Sequence, residues 1–364
     1  MKTEVYRESL LEMLKLTNLA CYRYVNKAYL KITPYDLSLT SEGSSFSMTL
    51  TVLAISDMAE CITIYPKEMF AAVSELKKKK YVDIKVDGNF VYLKANKVKV
   101  LKIDEFKDNE IMLVDGIITE RPSSRSCKIE RRSPERSKAI SDNVTEGGKF
   151  LAGFKTVLPF VDLKNKVEAG KGVNLSSSGG ATIFTAINDQ EVCRCSQQIG
   201  LPEGLNVTIS LASAKMLLRL MEDIATNVRV FDQYLQFEGV DFILTADIIK
   251  DKFPDVSRYF DNPIIYKITF SKTPLLREMS NMECEIVTFL VTESYLMIKN
   301  KEGDLLHTSK ISNEFSGFET SVNVKQFSRF LKNCPGEIVT IGFSKDFKMS
   351  NIFGKDNECR YFSR

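Results

Sequence analysis

The chain switches between two hydrophobic periods, and the order of the switches recurs three times. An opening amphipathic stretch places Tyr6, Leu10, Leu14 and Thr17 on one side at helical spacing. A second does the same with Phe150, Phe154, Val157, Leu158 and Val161. A third starts at Pro274, a good first helical residue, and runs through Leu275, Leu276 and Met279. Each is followed by strands, then by an extended run leading into a second short helix. The run 61–66 leads into Met69, Ala72, Val73 and Leu76; 207–210 into Leu217, Leu220, Met221 and Ile224; 320–323 into Val324, Phe327, Phe330 and Leu331. The separation from Leu10 to Ala71 equals that from Lys155 to Met216. After each second helix the period falls to two, which predicts a hairpin. The first pairs Val82, Ile84 and Val86 with Val91 and Leu93 across Asp87-Gly88-Asn89, whose Asp-Gly supplies the positive φ of a tight turn. The others use Val228, Val230, Tyr234, Leu235 and Phe237, and then Ile338, Val339, Ile341 and Phe347. Two helices against strands, three times over, predict an α+β chain with a helix layer on a sheet layer.

A length of 364 residues exceeds what one hydrophobic core sustains, so several domains are expected. The repeats put them at 1–118, 119–262 and 263–364. The stretch 120–138 breaks the pattern with seven basic residues, three acidic ones and two prolines, and reads as a linker or loop. With 50 Lys+Arg against 47 Asp+Glu the net charge is only +3, so contact with nucleic acid must come from local arrangement of charge. The start of the chain lacks the apolar core of a secretion signal, and no window reaches the length of a membrane span; a cytoplasmic protein without a membrane partner is expected. The eight cysteines show no CxxC spacing. Cys193 and Cys195, two apart in an alternating strand, share a face and read as core positions rather than metal ligands.

Enzymatic readings find few groups to work with. His307 is the single histidine and sits in an alternating strand, so a histidine-based triad would have to use it there. Neither GxGxxG, GxxxxGK[ST] nor HExxH occurs. Asp104-Glu105 could serve metal-dependent nuclease chemistry but lies in polar sequence near a block end. The expectation is a protein with no catalytic residue, no metal and no cofactor.

The stretch Lys252-Phe253-Pro254-Asp255-Val256-Ser257-Arg258-Tyr259 closes the second block about 100 residues before the end of the sequence. With the strand running from Ala181 to Cys195, and Ser210-Leu211-Ala212-Ser213-Ala214-Lys215 placed before the second helix, it resembles the bacterial DNA polymerase III beta subunit family, the DNA sliding clamps. The likeness covers nearly the whole chain and is clearest in the second block. It implies three repeated DNA-clamp domains, each with two helices packed on antiparallel sheets, forming half of a closed ring. It also implies a head-to-tail homodimer around double-stranded DNA without sequence preference, with a DNA polymerase and an ATP-dependent clamp loader as partners. Heterologous contacts of this kind close into a ring only when the rotation per unit completes a circle.

Helices lining such a ring would turn cations away from their core stripe. Lys325, Arg329 and Lys332 fall at i, i+4 and i+7, away from Phe327 and Leu331. The second block offers Lys215 and Arg219 on one helix, Lys149 and Lys155 on the other. The first has Arg7 and Lys15 among Glu8 and Glu12, then the lysine run 77–80 with Lys78 at its centre; Arg277 lies on the opening helix of the third. A plain solvated face is the competing reading of each.

The resemblance further implies an apolar cleft for partner peptides, formed by Val173, Ile187, Asn188, Gln190 and Val192 together with Pro254, Arg258, Tyr259, Tyr361 and Phe362. Packing of the domain junction is the alternative role for these positions. The sequence departs from the family at both edges. The usual Ala-Thr-Asp-Gly-His-Arg-Leu becomes Ala186-Ile187-Asn188-Asp189-Gln190-Glu191-Val192, and the usual Met-Pro-Met-Arg-Leu ending becomes Arg360-Tyr361-Phe362-Ser363-Arg364. Such divergence suits a clamp encoded by a bacteriophage or mobile element. The rival reading is a clamp-derived protein that binds clamp partners without encircling DNA.

Overall fold

The computed structural model describes residues 2–102 and 141–363, except 22–26, 44, 58, 77–79, 88–89, 95–97, 189–190, 222–224, 258–259, 261–265, 314–316, 335, 344–348 and 355–357. Its chain contacts separate two units, one of Met1–Asp142 with Thr226–Asp247, the other of Asn143–Ala225 with Ile248–Arg364. Six α-helices are formed among the described residues: α1 (Arg7–Ala20), α2 (Pro66–Glu75), α3 (Gly147–Val157), α4 (Leu211–Leu220), α5 (Lys272–Ser280) and α6 (Val324–Asn333). They pack in pairs, α1 with α2, α3 with α4 and α5 with α6, one pair for each repeat of the sequence pattern.

In the first unit, α1 and α2 bury Leu10, Leu14, Met69 and Val73, the positions the helical period selects. The sheet beside them is antiparallel throughout its described pairings, and its central strand is Phe46–Ser56. One edge of that strand pairs with Asp36–Glu42. The other is shared by Thr3–Tyr6 and Phe242–Asp247. The last hairpin of the second repeat, Tyr234–Glu238 with Phe242–Asp247, thus continues the sheet of the first.

The second unit repeats this device. Its nine-stranded sheet runs from Asn206–Ser210 through Gly172–Ser178, Ala181–Ile187 and Glu191–Gln197 to the last strand, Glu358–Ser363, and on into the third repeat. A separate four-stranded sheet has the order Leu305–Lys310, Tyr295–Lys299, Ile286–Val291, Phe318–Asn323. Gly179 and Gly180, at φ 60° and 76°, form the two-residue turn between Gly172–Ser178 and Ala181–Ile187, where both positions need a left-handed backbone. Against this sheet α3 drives Phe150 and Phe154 onto Phe184, with ring centres 5.7 and 5.1 Å apart. Gly153 lets the rings approach, since a Cβ there would lie 2.5 Å from the Phe184 ring.

Three boundaries differ from the sequence expectation. The apolar run ending at Val161 is not one helix: α3 stops at Val157, and Leu158–Phe160 forms a 3-10 turn containing Pro159. The residues 211–215 do not precede the second helix of the middle repeat but open it. Ser210 is its N-cap, accepting the Ser213 N–H at 3.0 Å. Finally, α5 starts two residues before Pro274, at Lys272.

Candidate functional site

Seven of the ten cations singled out in the sequence stand exposed on helices. Lys15 lies on α1 in the first unit; Lys155 on α3, Lys215 and Arg219 on α4, Arg277 on α5, and Lys325 and Lys332 on α6 lie in the second. None of the seven takes part in an ion pair among the described residues. Lys78 lies outside the described residues.

The other two depart from the expected picture of free cations. Arg7 is half-buried and donates from Nη2 to the carbonyl oxygen of Ser74 at 3.2 Å, near the C-terminus of α2, where a cation meets unpaired carbonyls and the negative end of the helix dipole. Arg329 reaches out of the third repeat into the second. Its Nη2 sits 2.7 Å from Glu191 Oε2, and its guanidinium lies 5.6 Å from the centre of the Phe160 ring. The i, i+4, i+7 spacing places Arg329 with Lys325 and Lys332, yet helical spacing carries no information about which strand turn packs against that flank.

The strand period explains why Glu191 belongs with Arg329. Along Glu191–Gln197, Cys193 and Cys195 are fully buried, and Cys193 Sγ lies 3.9 Å from the carbonyl oxygen of Thr156 on α3. Glu191 shares their parity and is only 1% exposed. Three hydrogen bonds join Asn188 directly to Glu191. Asn188 N donates to the Glu191 carbonyl at 2.9 Å, Glu191 N to Asn188 Oδ1 at 2.8 Å, and Asn188 Nδ2 to Glu191 Oε2 at 2.8 Å. Asn188 therefore has a defined task in shaping the turn.

The opposite parity carries the apolar cluster. Ile187 and Val192, which flank the turn, pack with Val256 and Phe260, and Phe253 leans on them. The Arg194 guanidinium lies 4.7 Å from the centre of the Phe260 ring. Asp255 Oδ1 accepts the Ser257 N–H at 3.0 Å; hydrogen bonds from Ser257 hold its carboxyl below the ordinary carboxylate range, and Arg194 and Lys252 add to the effect. Pro254 is half-buried between them in sequence, while Val173 is fully buried on its own strand opposite Ile209. The last strand runs antiparallel to this one, with Phe362 opposite Val192 and Tyr361 opposite Cys193. Gln190, Arg258 and Tyr259 lie outside the described residues. Sequence reasoning named Ile187 and Val192 but missed Phe253, Val256, Phe260 and Arg194. No period marks them in the sequence, because residues 252–256 form neither helix nor strand.

His307 is half-buried in strand Leu305–Lys310, its Nε2 2.7 Å from Ser309 Oγ. Asp104 and Glu105 lie outside the described residues. Among the described residues no helix is long and apolar enough to cross a membrane.

No protein-family model matches the sequence, and no curated protein matches it. Solved structures do match. The DNA polymerase sliding clamp from Pseudomonas aeruginosa superposes with a TM-score of 0.82 at 16% identity, over 100% of this chain and 99% of that one. The DNA polymerase III subunit beta from Borrelia burgdorferi gives 0.82 at 10% identity, with coverage of 100% and 99%. The beta subunit from Thermotoga maritima gives 0.78 at 12%, again over 100% and 99%. Across its whole length, then, this chain has the fold of the bacterial DNA polymerase III beta subunit, the DNA sliding clamp.

Proposed function

We propose that the chain is a DNA sliding clamp, a non-catalytic processivity factor of the bacterial cytoplasm. Two copies join head to tail around duplex DNA, each contributing three domains divided near residues 118 and 262. The observation that carries this reading is the end-to-end correspondence with sliding clamps, at a TM-score of 0.82, in a chain with exposed cations on helices of both units. Phosphate contacts position a protein without reading sequence, and each adds salt-dependent affinity. A ring that travels needs few of them. A net charge of only +3, with Lys15, Lys155, Lys215, Arg219, Arg277, Lys325 and Lys332 set apart on helices, meets that need. Topology then holds the DNA while charge keeps it centred. Partners, polymerase and loader among them, dock by short peptides in a cleft that borders the buried apolar cluster of Ile187, Val192, Val256 and Phe260.

The test is retention on DNA after loading by the ATP-dependent loader. At about 1 M salt the Debye length shrinks to about 3 Å, so simple charge attraction no longer holds the protein. The protein is expected to stay on nicked circular DNA under these conditions and to leave within minutes once the circle is cut. Equal release from circle and line rejects encirclement and leaves the rival, an interaction protein that binds clamp partners alone.

A further inference from the structure

One device joins successive repeats, and it leaves two strands over. The third strand after the opening helix is Phe46–Ser56 in the first repeat, Glu191–Gln197 in the second and Leu305–Lys310 in the third. Phe46–Ser56 receives Phe242–Asp247, the last strand of the second repeat, and Glu191–Gln197 receives Glu358–Ser363, the last strand of the third; both pairings are antiparallel. Leu305–Lys310 receives no such strand. It ends the four-stranded sheet, paired with Tyr295–Lys299 alone among the described residues, and Leu305 and Leu306 on it are exposed. The last strand of the first repeat, Val98–Lys102, also ends its sheet, paired with Phe90–Lys94 alone among the described residues. A third use of the device brings Val98–Lys102 of one copy onto Leu305–Lys310 of the next, a heterologous contact between two open edges.

His307 stands in the middle of that edge, in the slot that the first repeat fills with leucine. The turns that precede match: Thr33 N donates to the Asp36 carbonyl at 2.9 Å, and Thr292 N to the Tyr295 carbonyl at 2.8 Å. Three residues further on stand Leu39 and Ile298, and opposite them Leu50 and His307. Leu50 is buried, with Phe242 of the arriving strand opposite. In the second repeat Cys193 and Cys195 hold the buried parity of the receiving strand. Both formed junctions thus set an apolar side chain where the open edge carries an imidazole.

No carboxylate compensates a positive charge there. The parity of His307 brings Ser309 from its own strand and Leu296 and Ile298 from the neighbouring one, while Tyr295, Lys299 and Lys310 fall on the other parity. Asp304, just before the strand, accepts from Asn300 Nδ2 at 2.9 Å. The helices of the repeat carry Lys272, Arg277 and Glu278 on α5 and Lys325, Arg329 and Lys332 on α6, and none of these pairs with His307 among the described residues. The sequence of the arriving strand, Val98–Lys102, adds Lys99 and Lys102. Covering a charged imidazole in such surroundings is costly, and covering a neutral one is not.

We infer, on the head-to-tail ring proposed above, that His307 gates its closure: the strand of a second copy seats on Leu305–Lys310 only over a neutral imidazole. Burial without a counter-charge favours the neutral form, so assembly is complete above the value of free histidine, about 6.5, and is lost as pH falls below it. A ring has two such contacts with one imidazole each. Between pH 8 and about pH 5.5 its dissociation constant should therefore rise about 100-fold.

Sedimentation velocity of the full-length protein over a dilution series at the two pH values measures that constant. H307L, which carries the residue of the first repeat, and H307Q, neutral and polar, should each keep it within about threefold over the same range. A wild-type dimer equally tight at both pH values, or variants that weaken with acid as the wild type does, would overturn the gate and leave the ring standing. A wild type that is monomeric at pH 8 would overturn the ring and the gate together.

Discussion

Glu337 performs from a distant strand end the task that an N-cap usually performs locally. At the start of α5, Ser271 occupies the cap position but makes no side-chain bond to the helix. Its Oγ donates instead to Glu337 Oε1 at 2.6 Å, while Thr273 donates its backbone N–H to Oε1 at 2.9 Å and its hydroxyl to Oε2 at 2.6 Å. These donors, Ser271 first and then Thr273, lower the Glu337 carboxyl from 4.5 to about 2. Its position at a helix N-terminus also suits a negative charge. Because the folded-state value is depressed, the stabilisation is complete above pH 4.5 and is lost as pH falls through about 2. E337Q should therefore melt about 1–3 °C below wild type near neutral pH. Thermal scans should show that gap closing as the pH is lowered from 5 toward 2; a gap of constant size would assign the effect to something other than the carboxylate. Pro274 marked the helix correctly in the sequence, but not its first residue. The group that fixes that start lies beyond the reach of a local window.

Elements were legible wherever their side chains repeat with a period. Leu10 and Leu14, Phe150 and Phe154, or Phe327 and Leu331 are buried as the helical spacing requires. What the pattern could not give is which repeat a strand joins. Nothing local in Glu358–Ser363 says that it pairs with Glu191–Gln197, or in Phe242–Asp247 that it pairs with Phe46–Ser56. The same limit hid the second half of the apolar cluster and the role of Arg329, since both depend on which segments come together. The Glu191–Arg329 pair binds a turn of the middle repeat to a helix of the third, with a carboxylate 1% exposed and an arginine side chain 35% exposed. Removing one partner strands the other's charge, so E191Q and R329M should each cost about 1–3 kcal/mol, less than for a fully buried pair because water still reaches the arginine. The double variant should lose clearly less than the sum, by roughly 0.5–2 kcal/mol of coupling. Urea unfolding of the four proteins measures this. Strict additivity would mean that the contact contributes nothing of its own.

For the chain as a whole, the proposed function makes assembly and DNA contact separate properties, and the structure indicates which residues separate them. Lys325 and Lys332 are exposed on α6 without an ion pair among the described residues, whereas Arg329 between them holds Glu191. A charge reversal of all three would mix loss of DNA contact with damage to the Asn188–Glu191 turn, so the informative variant is K325E/K332E. Light scattering of the wild type at micromolar concentration should give twice 41.2 kDa, and K325E/K332E should give the same mass. Reversing two cations replaces attraction to phosphate by repulsion, so the variant's unloaded affinity for linear duplex should fall and the slope of log affinity against log salt should flatten by about two. If the wild type remains a monomer at that concentration, the head-to-tail ring fails. If the variant keeps both mass and slope, α6 does not face the DNA and the cations of the other helices must carry the contact.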